Sequence, residues 1–128
     1  MTAMKLIVYS PSNGKAAEPR GKFLQLVLDG QEYLLFSPAG LDGYHNQILA
    51  RFLTERGIPH RWSAAATLEV EHPGLRILGG GRYRVDTEAG RLELWDDSQA
   101  YGRFQERGLA QKIAGAQHPW SGYRLRIA

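Results

Sequence analysis

The chain of 128 residues contains no cysteine. Disulfides, thiolate catalysis and cysteine-ligated zinc are therefore excluded. Long apolar runs are missing too: none approaches the roughly 18 residues that suggest a membrane span. The opening "MTAMKLIVYS" carries one lysine and a short apolar stretch that gives way to "SPSNGK". It reads as a first strand and not as a signal peptide, so the cytoplasm is the expected compartment and no membrane partner is expected. Charge of one sign is scarce, since 16 Lys and Arg against 13 Asp and Glu leave a net +3. That bias suits an anionic ligand and is weak support for nucleic acid, which is not expected as a partner. No acid-rich cluster suggests magnesium, and no histidine pair has the i,i+4 spacing of a zinc-binding helix. No metal is expected.

What is present describes an ordinary globular domain. An apolar fraction of 43% and a charged fraction of 23% fit one domain over residues 1–128, large enough to bury its own core. "KLIVY" and "KFLQLVL" read as strands, joined across the turn-rich stretch 11–21. In the second run Phe23, Gln25 and Val27 alternate with Leu24, Leu26 and Leu28. Both faces are apolar apart from Gln25, which marks a central strand. Asp29-Gly30 is a hairpin signal, with "QEYLLFS" as the partner strand.

The period then changes. Tyr44, Ile48 and Phe52, joined by Leu49 and Leu53, fall at helical spacing, with Asp42 as N-cap and Gly57 and Pro59 as the stop. "LRIL", "RYRV" and "RLELW" continue as strands, the last two joined by "DTEAG", and a closing strand lies in "HPWSGYRLRIA". A second helix is expected over 104–116 with Phe104, Leu109 and Ile113 inward, weakened by about 1 kcal/mol at Gly108. The expected class is α+β, with a mixed, mainly antiparallel sheet flanked by two helices.

Four features carry possible chemistry. His60, His72 and His118 each neighbour a proline in a turn, where an exposed histidine is unremarkable. His45 differs, because an Asp42 cap makes it the third residue of the helix. The positive end of the helix disfavours imidazolium, leaving a neutral ring able to take a proton. "GGGR", residues 79–82, matches neither a phosphate-binding P-loop nor a dinucleotide fingerprint. Successive glycines can turn their N–H groups into an anion nest beside Arg82, and they equally fit a bulge at a strand start. Ser98 in "SQAYG" offers a hydroxyl and neighbouring amides ahead of the second helix, or simply a cap. Lys22 opens an apolar strand, either as a charged ligand or with its amine reaching out to solvent.

Taken in order, "GKFLQLVL", "YHNQI", "LGGGRY", "SQAYG" and the later "QKI" resemble the Janus/ocnus family of protein phosphohistidine phosphatases. The resemblance spans residue 21 to about 127, and Ser98 stands sixteen positions after Arg82, as in the family. It implies a metal-independent phosphatase without cofactor, acting on a phosphohistidine-containing protein or a small phosphoramidate, and a monomer. It places the catalytic histidine at His45 and a phosphate-binding lysine at Lys22. The glycine loop and arginine fall on Gly79, Gly80, Gly81 and Arg82, and the phosphate-binding turn on Ser98, Gln99 and Ala100. The chain departs from the family at Ser37, where the family has arginine, at Asn46 and Gln47, and in a longer stretch around "SAAATLEVEHPG". A non-enzymatic phosphate-binding module of the same fold is the alternative.

Overall fold

The computed structural model describes residues 3–64 and 67–128. Residues 1 and 2 of the first-strand stretch, and 65 and 66 of the longer stretch around 63–74, lie outside them. In chain order the elements are β1 (Lys5–Val8), β2 (Arg20–Leu28), β3 (Gln31–Pro38), α1 (His45–Arg56), β4 (His60–Ser63) and β5 (Thr67–Val70). β6 (Leu75–Asp86), β7 (Arg91–Trp95), α2 (Leu109–Ala114) and β8 (Arg124–Ile127) follow. Six strands form one sheet in the order β1-β3-β2-β6-β7-β8, while β4 and β5 make a separate hairpin. The two outermost pairings, β1 with β3 and β7 with β8, are parallel; the inner ones are antiparallel. The fold is α+β with a mixed, mainly antiparallel sheet. Among the described residues no helix is long and apolar enough to cross a membrane.

Alternation along β2 and β3 explains both their position and the two-sided core. Phe23, Leu34 and Phe36 face one side, where Tyr83, Leu92, Leu94, Phe104 and the α2 residues Leu109 and Ile113 complete a cluster. Leu24, Leu26, Leu28, Tyr33 and Leu35 face the other side, against Ile48, Leu49, Phe52 and Leu53 of α1. Strands apolar on both faces can only sit inside the sheet, under cover from both sides. Asp29 and Gly30 both have positive φ (49° and 83°), the pairing that a tight two-residue hairpin demands. Gly57 ends α1 in the left-handed conformation, donating to the Leu53 and Thr54 carbonyls.

Several expectations need correction. α2 is only Leu109–Ala114, because Gly108 sits at φ 72° and cannot be helical. Phe104 reaches the core from an extended segment instead, its N–H donating to the Gly80 carbonyl at 3.3 Å. Asp42 is not the N-cap of α1. The cap is Tyr44, so His45 is the first helical residue and not the third. Asp42 is drawn away by Ser37, whose hydroxyl donates to it at 2.7 Å, and by Arg51 at 3.1 Å. The side chain of Gln47 takes over at the helix start, accepting from the Gly43 and Tyr44 amides. Tyr44 itself is 61% exposed and does not join the apolar stripe of α1.

Candidate functional site

Gly79, Gly80 and Gly81 lie inside β6, not in a turn. β6 crosses there between β2 on one side and the segment 102–104 on the other. Gly80 donates to Gly102 at 3.0 Å and accepts from Phe104. A Cβ on Gly79, whose φ is 145°, would strike the Arg103 carbonyl, and one on Gly81 would lie 2.5 Å from the Trp95 carbonyl oxygen. A Cβ on Gly80 would meet the ring of His45 at 2.5 Å and the Phe23 carbonyl oxygen at 2.7 Å. The backbone is bare because the protein's own atoms occupy the space that side chains would need.

That approach seats His45. Its ring is only 5% exposed, with Nε2 3.0 Å from the Gly81 carbonyl oxygen. A carbonyl can only accept, so Nε2 carries the proton and Nδ1 holds the lone pair of the neutral ring. Burial pushes the imidazole below its ordinary value, opposed by the Gly81 carbonyl and reinforced by Lys22 and Arg82. The base-like state expected from the helix position is thus reached mainly by desolvation.

Lys22 and Arg82 are cross-strand partners on β2 and β6, two residues beyond Leu24 and Gly80, so both project on the His45 side of the sheet. Lys22 Nζ donates to the Gly43 carbonyl at 2.7 Å and lies 5.4 Å from the centre of the Tyr44 ring. Arg82 Nε is 3.1 Å from Asp96 Oδ2. The turn 98–102 is closed by reciprocal hydrogen bonds between Ser98 and Gly102, at 2.8 and 3.0 Å. The Ser98 hydroxyl is buried and accepts from the Tyr101 amide at 3.2 Å. Ser98 therefore does not cap α2, which starts eleven residues later in the chain. Among the described residues, the amides of Gln99 and Ala100 donate to no protein group.

Lys22, His45, Arg82, Ser98, Gln99 and Ala100 line one cavity of about 680 Å³. Of the site residues that the resemblance implies, the three glycines alone do not line it; they lie beneath His45 and beside the segment that carries the 98–102 turn. Tyr44, Asn46, Asp96 and Asp97 line the cavity as well and were not foreseen. The acidic pair beside "SQAYG" was the available signal for the last two. Asp96 adopts φ 72°, which turns the chain out of β7 and lets its carboxylate meet Arg82. Ser37, where an arginine was the family expectation, is fully buried under Asp42 and takes no part in the cavity wall. Among the described residues no three His, Asp or Glu side chains converge as a metal-binding group.

Two cations, a buried neutral imidazole and free amides around one concave space can neutralise and orient a tetrahedral anion and take a proton from water. Compared with known proteins, the chain matches no family model and no curated protein.

Proposed function

We propose that the chain is a phosphatase of the Janus/ocnus type, hydrolysing the P–N bond of phosphohistidine or of a related phosphoramidate without a cofactor. The observation that carries this reading is the single cavity lined by Lys22, His45, Arg82 and the turn residues 98–100. Lys22 and Arg82 offset charge on the phosphoryl oxygens, and the Gln99 and Ala100 amides hold them. His45, neutral because it is buried, takes a proton from water through Nδ1 as the water oxygen attacks phosphorus. The P–N bond breaks, the leaving nitrogen is protonated, and orthophosphate departs. Protonation of that nitrogen makes it a good leaving group, so positioning and charge offset supply most of what the reaction needs.

The test is orthophosphate release from phosphohistidine or phosphoramidate in the presence of EDTA. Wild type is expected to turn over and His45→Ala to lose nearly all activity. Arg82→Ala should slow the reaction by about 10²–10³. An inactive wild type, or equal rates for wild type and His45→Ala, would overturn the reading.

One feature favours a second reading, a phosphate-binding module without turnover. Arg82 is already engaged by Asp96, and Lys22 by the Gly43 carbonyl. Phosphate-induced NMR shifts at Lys22, Arg82 and 98–100, with no phosphoramidate hydrolysed, would select it.

A further inference from the structure

α1 and the β4–β5 hairpin cover only part of their side of the sheet. Leu24, Leu26 and Leu28 of β2, Tyr33 and Leu35 of β3, and Leu75 and Ile77 of β6 pack beneath them. Beyond Gly80, among the described residues, the same side is left open: Arg82, Arg84, Arg124 and Arg126 are exposed, and Arg91, Glu93 and Trp95 are half-buried. Parity identifies what projects there, because Tyr83, Val85, Leu92, Leu94, Leu125 and Ile127 all belong to the opposite core. Their alternates are Arg82 and Arg84 on β6, Arg91, Glu93 and Trp95 on β7, and Arg124 and Arg126 on β8. Arg20 and Lys22 on β2 share that side.

Like charges directly opposite one another on a sheet are destabilising, so a merely solvated face tends to mix signs. Here the register sets three like-charged pairs, Arg20 opposite Arg84, Lys22 opposite Arg82 and Arg91 opposite Arg124, while Arg84 and Arg126 each face Glu93 and Arg91 faces Asp86. The carboxylates on this face are Asp86 and Glu93, with Asp96 at its edge. Seven cations against these three, with Asp97 next to Asp96, leave an excess that equals the net +3 of the whole chain. The positive charge of the protein is therefore concentrated on this half-face. A groove of about 360 Å³, lined by Arg20, Lys22, Arg82 and Trp95 among others, joins it to the cavity, since Lys22 and Arg82 line both.

We propose that this uncovered half of the sheet docks an acidic polypeptide segment flanking the phosphorylated side chain of a protein substrate. The identity of that partner as a phosphoprotein rests on the phosphatase reading; the acidic chemistry of the docked segment does not. Guanidinium groups match carboxylates in bidentate geometry, and alternate positions along these strands are about 6.6 Å apart, the repeat of an extended peptide. A sheet that reads single-stranded nucleic acid presents several rings for stacking bases. Trp95 is the one aromatic side chain among the open positions named above, which favours the peptide.

The experiment uses the full chain, a fluorescent hexaglutamate peptide, and the variant Arg84→Glu/Arg124→Glu/Arg126→Glu, none of whose positions lines the cavity. Wild type is expected to bind the peptide with an affinity that falls as salt rises. The variant should bind at least about tenfold more weakly while hydrolysing a small phosphoramidate at the wild-type rate. Should charge reversal prevent folding, as read from the thermal melt, Arg124→Gln/Arg126→Gln is used and a smaller loss in the same direction is expected. No binding by wild type, unchanged binding by the folded variant, or tighter binding of a thymidine hexanucleotide than of the peptide would overturn the proposal. Because binding is read without turnover, peptide binding with no hydrolysis removes the phosphatase reading and leaves the basic docking surface standing. Hydrolysis with no peptide binding does the reverse.

Discussion

A methyl group on Gly80 would sit 2.5 Å from Cδ2 of His45 and 2.7 Å from the Phe23 carbonyl oxygen. The ring could swing away, but the carbonyl belongs to the neighbouring strand and cannot. Gly80→Ala is therefore expected to cost about 1–3 kcal/mol in urea denaturation, as overpacking in a tight interior does. If the proposed phosphatase reading holds, hydrolysis should fall further than this loss of stability accounts for, since the displaced ring loses its contact with Gly81. Wild-type stability in the variant would show that the strand gives way more easily than its pairing suggests. At Gly79 two penalties combine, a φ of 145° and the Arg103 carbonyl in the path of any Cβ. Local sequence offered either an anion nest or a bulge at a strand start for the three glycines; the pairing with β2 does slip beside Gly79, between Gln25 and Leu26, but the crossing with 102–104 lay beyond its reach. The neighbours that require them, His45, Trp95 and 102–104, are fourteen or more residues away along the chain.

At the scale of elements, α1 is tied to the sheet by Asp42, which joins the buried Ser37 hydroxyl of β3 to Arg51 of the helix. Asp42→Ala strands a hydroxyl that has no access to water, so a loss of about 1–3 kcal/mol is expected. Arg51 is 36% exposed, and Arg51→Ala should cost less, under about 1 kcal/mol. Equal losses in a melting comparison of the two variants would contradict that ordering. Gln25 plays a similar part in β2. The only polar side chain of its apolar run is buried, donating to Glu32 at 2.9 Å and accepting the Gln105 amide at 2.8 Å. It thereby anchors the segment that follows the 98–102 turn. The strands of the main sheet, the Asp29-Gly30 hairpin and the stop at Gly57 were legible because each rests on neighbours within a few residues, whereas the β4–β5 hairpin, in a stretch that alternates poorly, was not. The cap of α1 and the extent of α2 were not, because distant partners claimed Asp42 and because Gly108 took a left-handed conformation.

For the molecule as a whole, His45 couples stability to pH. Its folded value lies below 6.5 because burial penalises the charged ring, so the unfolded chain binds more protons over that interval. Stability from this group is complete above 6.5. It falls as pH drops from there toward the folded value, and below that value the loss is complete. Urea denaturation at pH 7.5 and 5.5 is expected to show this loss, and His45→Gln should reduce it. His118, also lowered by burial, acts with the same sign but is present in both proteins, so their difference isolates His45. Identical pH slopes would mean that the ring is not held neutral. The same depression keeps His45 available as a base in mildly acidic solution, placing the acid limb of a rate profile below 6.5.

The sequence by itself determined the class of fold, because alternation, turn chemistry and helical spacing are set by residues close together in the chain. It also supplied the residue types of the cavity: a lysine opening a strand, a histidine opening a helix, an arginine after glycines, and a turn around Ser98. Only the tertiary structure decided that these share one space, that Asp96 engages Arg82, and that the glycines serve His45 and the crossing at 102–104. It alone decided that half of one sheet face stays uncovered and basic. Those outcomes depend on register between β2, β6 and β7, and on contacts between residues far apart in the chain. Local patterns specify which face a side chain takes, whereas packing of the whole chain specifies what it meets there.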